Sequence, residues 1–235
     1  LYFSNTLDLS ISMMQLAKNV GTEKPKFNDS TLFRNSQLNF IWNFKNTRIF
    51  DNELLTNIIH PVVNGYIGIR TDQTYESEFN FCVISRKDTR RSGCRFIVRG
   101  ADSNGYVANF AETEEFIVIN SKENSNEYTV LSYLQIRGSI PVVWSQLPTL
   151  QLNPLIVPCN DYSMHSNAFN RHITQLRSSY DRVTLVNLVD KKGDQNVIGE
   201  YYQSLYQNSK SLFQNVSSSG LESVVDYTWF DFHQE

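Results

Sequence analysis

The chain has 235 residues, enough for one large domain or two small ones, with 40% hydrophobic and 19% charged residues. That composition excludes a disordered chain, and a net charge of −3 argues against general nucleic-acid binding, which needs a basic surplus. Three cysteines at scattered positions (Cys82, Cys94, Cys159), with no C-x-x-C, fit reduced thiols better than a disulfide scaffold.

In chain order, Asp8 or Ser10 is placed to cap a short helix carrying Ile11, Met14 and Leu16. Residues 21–37 are polar with a proline and read as a loop. FIWNF (40–44) is an aromatic run, DNELLTNII (51–59) a capped helix stopped by Pro61, and VVNGYIGI (62–69) a buried strand. From about 78 to 144 the texture is strand–turn–strand: FNFCVIS, a turn near DTRRSG, CRFIVR, the turn dipeptide Asn104-Gly105, YVANF, EEFIVIN, the polar loop SKENSNE, YTVLSYLQIR and IPVVW. This is an antiparallel meander.

Beyond Pro154 and Pro158 the texture changes. Phe169, Ile173, Leu176 and Tyr180 fall at helical spacing; VTLVNLV (183–189) suits a strand buried on both faces; NVIGEYYQSLYQNSKSLF (196–213) is helical; VVDYTWFDF (224–232) is a further strand. Strands joined by crossovers of this length predict a parallel sheet. The expected fold class is α+β: a β-rich mixed or antiparallel part with helices over 1–150, then the start of an α/β part over 151–235, with the boundary near 145–165. No apolar run is long enough to span a bilayer, and the start lacks a signal-peptide pattern. LYFSN reads as native, and both ends read as cut, so a fragment of a longer protein is expected.

A search for catalytic motifs finds no P-loop, no G-x-S-x-G and no H-E-x-x-H, and the histidines (His60, His165, His172, His233) are scattered. C-x5-R is absent too: six residues beyond the three cysteines lie Asp88, Gly100 and His165. What stands out is RRSGCRFIVRGADSNGYVANFAETE, in which Arg90, Arg91, Arg95 and Arg99 fall within ten residues. With Cys94, Phe96 and Val98 inward, Arg95, Ile97 and Arg99 share the opposite face of a strand. Guanidinium forks match phosphate oxygens. The same arginines would equally serve as cross-strand partners of Glu112, Glu114 or Glu115.

That run resembles the Sac-domain phosphoinositide phosphatases, whose pattern is R-x-G-T-R-[YF]-x-x-R-G-x-D-x-x-G-x-V-A-N-F-x-E-T-E. LQIRGSIPVVWSQ, VTLVNLVDKKGDQ and WFDFHQE are similar to further family stretches in the same order, as are YFSNTLDLS and IWNF near the start. Departures are small: Cys94 stands where the family has Thr, and Ala111 begins its V-E-T-E. The resemblance implies removal of phosphate from the inositol ring of membrane phosphoinositides by a cysteine in C-x5-R, without metal or cofactor. That loop would lie beyond Glu235, so no catalytic residue is assigned within the chain. An inactive Sac-fold module that binds phosphoinositides or protein partners is the alternative.

On this reading Arg90 and Arg91 are the expected substrate or lipid contacts. Arg95, Arg99 and Arg137 are expected to brace the two subdomains with Glu112 and Glu114 as partners. Asn109, Trp144, Asp231 and His233 are the remaining structural or groove-lining candidates. The implied partners are phosphoinositide headgroups and the remaining Sac catalytic subdomain, with no nucleic acid. The implied location is the cytoplasmic side of endocytic, plasma, reticulum or Golgi membranes.

Overall fold

The computed structural model describes residues 1–5, 7–20, 36–47, 59–73, 78–94, 97–120, 128–147, 149, 154–180, 182–213 and 225–231. Helices and strands are mixed in an α+β fold, which divides into two compact units: Leu1–Arg90 with Ala111–Arg137, and Arg91–Phe110 with Gly138–Glu235.

The first unit is built on a four-stranded antiparallel sheet, β1 (Gly65–Gln73), β2 (Glu78–Lys87), β3 (Ala111–Asn120) and β4 (Tyr128–Arg137), in sequential order. Period-2 alternation sets one face of it. Cys82 and Ile84 of β2 and Phe116 of β3 turn inward onto Leu9 and Val63, with Tyr2, Leu7, Met13, Ile67, Val118 and Val130 around them. Val63 anchors the chain start through a bridge to Tyr2, each residue's N–H donating to the other's carbonyl at 2.8 Å. Burial of Cys82 pushes its thiol pKa up.

The same inward phase continues into charge. Arg86 lies opposite Glu112 in the β2–β3 register, two residues along from Ile84 opposite Glu114. All three side chains are 0–1% exposed. Arg86 Nη1 donates to Glu112 Oε1 at 2.8 Å and Nη2 to Glu114 Oε2 at 3.1 Å. Its Nε and Nη2 also donate to the carbonyls of Leu9 and Ile11. Glu114 Oε1 in turn accepts from Met13 N and Ser132 Oγ, both at 2.8 Å.

Met13 opens helix α1 (Met13–Val20). Its cap is Ser12 rather than Asp8 or Ser10: Gln15 N donates to Ser12 Oγ while Ser12 N donates to Gln15 Oε1, a reciprocal capping box. Asp8 instead folds the preceding turn, accepting from Ser10 N, Ser10 Oγ and Ser36 Oγ. The aromatic run at 40–44 breaks into a 3-10 turn (Leu38–Phe40) and a four-residue helix α2 (Phe44–Thr47). β1 is an edge strand exposed along much of its length, not a buried one. The helix expected at 51–59 falls outside the described residues but for its last position, as do most of the loop at 21–37 and all of SKENSNE.

In the second unit, β5 (Trp144–Gln146) pairs antiparallel with β6 (Ile156–Pro158). Helix α3 (Tyr162–Ser179) is capped by Asp161, whose Oδ1 accepts from Ser163 N. β7 (Val183–Asn187) pairs parallel with β8 (Val225–Trp229) across helix α4 (Asn196–Phe213). Phe169 of α3 meets Tyr202 and Phe213 of α4 edge-on, and Tyr227 of β8 packs against Tyr202 and Tyr206. β7 alternates buried and exposed positions, with Val186 53% exposed; among the described residues only one face of it is covered. Where a strand is expected at CRFIVR, the described residues Ile97 and Val98 both donate their N–H to the Cys94 carbonyl.

Two outcomes follow from these packings. Replacing Arg86 by Met should destabilise the chain by about 3–5 kcal/mol, because two carboxylates stay buried without their cation; urea unfolding measures it, and Arg86→Met with Glu112→Leu and Glu114→Gln should recover most of the loss. Tyr202 is held above the ordinary phenol range, first by burial and then by Tyr227. The unfolded chain therefore ionises this group first, so its stabilisation is intact below the ordinary phenol value of about 10 and is lost as pH rises beyond it. Melting temperatures in alkaline buffer should fall less steeply for Tyr202→Phe than for the parent chain.

Candidate functional site

The arginine-rich stretch after β2 folds within the second unit as linked turns. Position 100 needs glycine twice over: its φ is 62°, and a Cβ there would lie 2.6 Å from the Val142 carbonyl oxygen and 2.7 Å from that of Trp144. Its N–H donates to Ser139 Oγ, and the next residue, Ala101, donates to the Val142 carbonyl. Asp102 Oδ1 accepts from Asn104 N and Tyr106 N, and Gly105 N donates to the Asp102 carbonyl. This Asx turn docks on α3 through His172, whose Nδ1 donates to the Gly105 carbonyl at 3.0 Å, and through Gln175 Nε2 to the Asn104 carbonyl. An isolated bridge between Ala101 and Val107 takes the place of the strand expected at YVANF.

Asn109 closes the loop. At φ 53° it is the positive-φ non-glycine residue among those described. Its Oδ1 accepts from Gly93 N and its own N–H donates to the Arg91 carbonyl. Arg91 is thereby fixed at its backbone, and its Nη2 donates to the Arg99 carbonyl at 2.8 Å. Arg99 turns its guanidinium over the Trp144 ring, 5.5 Å from the centroid, with Nε donating to Gln146 Oε1. Gln146 is anchored by Nε2 to the Pro154 carbonyl. Two buried donors in this cluster, Arg91 Nε and Trp144 Nε1, have no hydrogen-bond partner among the described residues.

Of the sequence candidates, then, Arg91, Arg99, Asn109 and Trp144 come together in the second unit. Arg90 belongs to the first, where its Nε and Nη2 grip both oxygens of the buried Asp88, and Asp88 also accepts from Arg90 N. Glu112 and Glu114 are likewise in the first unit, and their described ion pairs are with Arg86. Arg137 ends β4 with its side chain exposed. Asp231 is buried beyond β8, Oδ2 accepting from Lys191 N. Arg95 and His233 lie outside the described residues.

Sequence reading passed over two structural supports. Arg86 was legible as a charge in phase with Cys82 and Ile84, and Glu112 and Glu114 as charges in phase with Phe116. His165 was not legible. It is fully buried, its Nδ1 accepts from Val143 N, and its Nε2 donates to the Cys159 carbonyl at 2.8 Å, which ties the β5–β6 hairpin to α3. Among the described residues no group of three His, Cys, Asp or Glu side chains is placed to hold a metal ion, and no helix is long and apolar enough to cross a membrane.

The sequence profile of the SacI homology domain matches residues 1–235. The chain belongs to this family. It is 31% identical over 235 residues to the phosphatidylinositol-3-phosphatase SAC1-B of Danio rerio and 31% identical over 236 residues to the phosphatidylinositol-3-phosphatase SAC1 of Drosophila melanogaster. It is 31% identical over 234 residues to the phosphoinositide phosphatase SAC7 of Arabidopsis thaliana. All of the chain is covered in each case, but only 36%, 36% and 35% of these relatives' own length. Within the SacI homology domain the R-G-x-D-x-x-G stretch thus reads physically as a positive-φ glycine against two carbonyls, an Asx turn, and a second glycine seated on α3.

Gly100→Ala should cost at least about 1–2 kcal/mol, since it adds left-handed strain to a collision with backbone oxygens. Urea unfolding checks this, with Gly193→Ala, where a Cβ meets nothing within 4 Å, as the control that carries strain alone.

Proposed function

We propose that this SacI homology domain is part of a phosphoinositide phosphatase that removes phosphate from the inositol ring at the cytosolic face of membranes. The nucleophile is a cysteine in sequence beyond this chain. Its thiolate attacks the phosphorus, the leaving hydroxyl departs with a proton, and water then cleaves the phosphocysteine. The chain alone carries no C-x5-R and is inactive on this reading.

The observation that carries the local part of the proposal is the fixing of Arg91. Its backbone is pinned by Asn109 and its Nη2 is used on the Arg99 carbonyl, while the residue as a whole stays partly exposed. A guanidinium held in place by one edge is suited to receive a phosphate oxygen, because little ordering entropy remains to be lost. Arg90, its Nε and Nη2 already on Asp88, is committed to that ion pair and contributes less to the headgroup contact. A phosphoinositide-binding module without turnover is the second reading, favoured by the lack of the nucleophile motif in these 235 residues; C-x5-R in the longer reading frame decides between them.

Flotation of the chain with phosphatidylcholine vesicles, with and without phosphatidylinositol 3- or 4-phosphate, tests the headgroup contact. Arg91→Gln should weaken phosphoinositide-dependent binding about tenfold or more, the scale of one charged hydrogen bond, while leaving the melting temperature nearly unchanged. Arg90→Gln should instead lower the melting temperature, because it leaves Asp88 buried without its cation. Equal binding to plain phosphatidylcholine overturns the proposal.

A further inference from the structure

The four-stranded sheet of the first unit has two edges, and they differ. β1 carries the exposed pair Arg70 and Asp72, 3.5 Å apart, and charges of this kind guard an edge against pairing. β4 carries no charge from Tyr128 to Ile136 and no proline, and among the described residues its outer backbone edge is unpaired. Leu131 and Tyr133, on the face away from the core, are 57% and 64% exposed. A long, apolar, unguarded edge is a template for another strand.

The sequence of β4 says which strand fits. An antiparallel partner related by a two-fold axis at Ser132 sets Leu131 against Tyr133, Val130 against Leu134, Thr129 against Gln135, and Ser132 against itself. Apolar meets apolar and polar meets polar on both faces, with the alternation preserved. Moving the axis one residue to Tyr133 sets Leu131 against Gln135 and loses the match. We infer that β4 is a self-association edge: a second copy of this chain pairs with it antiparallel, joining two four-stranded sheets into one of eight.

The uncharged, palindromic pattern favours a second copy over an unrelated peptide, for which such symmetry serves no purpose. Sedimentation equilibrium of the chain over a concentration series should show a monomer–dimer equilibrium. Leu131→Lys and Tyr133→Lys, both at exposed positions, should each weaken the dimer about tenfold or more, since each change acts at two symmetry-related pairs. Their far-ultraviolet circular dichroism should be unchanged. Leu131→Lys combined with Tyr133→Glu should restore the dimer, because the introduced charges face each other on both sides of the axis. A monomer at every concentration, whether the edge takes a peptide or other sequence instead, overturns the inference. So does a dimer indifferent to Leu131→Lys, or a double variant no better than the single ones.

Discussion

A guanidinium and two carboxylates occupy the interior of the first unit, and the sheet's register depends on how they meet. Arg86, Glu112 and Glu114 are each 0–1% exposed, so none can be rescued by solvent. Shifting β2 by one residue against β3 would turn Arg86 to the opposite face and leave both glutamates buried alone, a cost of several kcal/mol per ion. The apolar positions Cys82, Ile84 and Phe116 would tolerate a poor match far better. Hydrophobic burial thus makes the sheet, and the charged cluster selects its alignment.

The cluster also gathers what lies outside the sheet. Leu9 and Ile11 present carbonyls to Arg86, Met13 presents its N–H to Glu114, and Ser132 its hydroxyl. The chain start, the first turn of α1 and the fourth strand are therefore all held by one set of donors and acceptors. Each bond satisfies a polar group that burial would otherwise penalise.

Much of the fold is legible from periodicity where apolar spacing is regular. The α4 span is read at its full length, though its buried face runs through Ile198, Tyr202, Leu205 and Tyr206 while Leu212 is exposed, and β2, β3 and β4 are read from alternation. Legibility fails where the backbone bends for reasons an alternating pattern does not carry. CRFIVR alternates like a strand, yet Ile97 and Val98 donate back to the Cys94 carbonyl, and the positive-φ Gly100 and Asn109 and the Asp102 side chain redirect the chain that follows. The arginine cluster is legible as phosphate chemistry, whereas its division is not. Adjacent Arg90 and Arg91 enter different units, and only tertiary structure gives one to Asp88 and the other to Arg99.

The whole loop from Asp88 to Phe110 is inserted between two strands that Arg86 and Glu112 already clamp together. Closing a loop costs entropy only as the logarithm of its length, about 0.6 kcal/mol for each doubling. Lengthening or shortening this insertion therefore changes the first unit's free energy very little, however much it reshapes the turns that present Arg91. The constraint on this segment comes instead from the second unit, to which Arg91–Phe110 belongs and in whose core Ala101 and Val107 are buried.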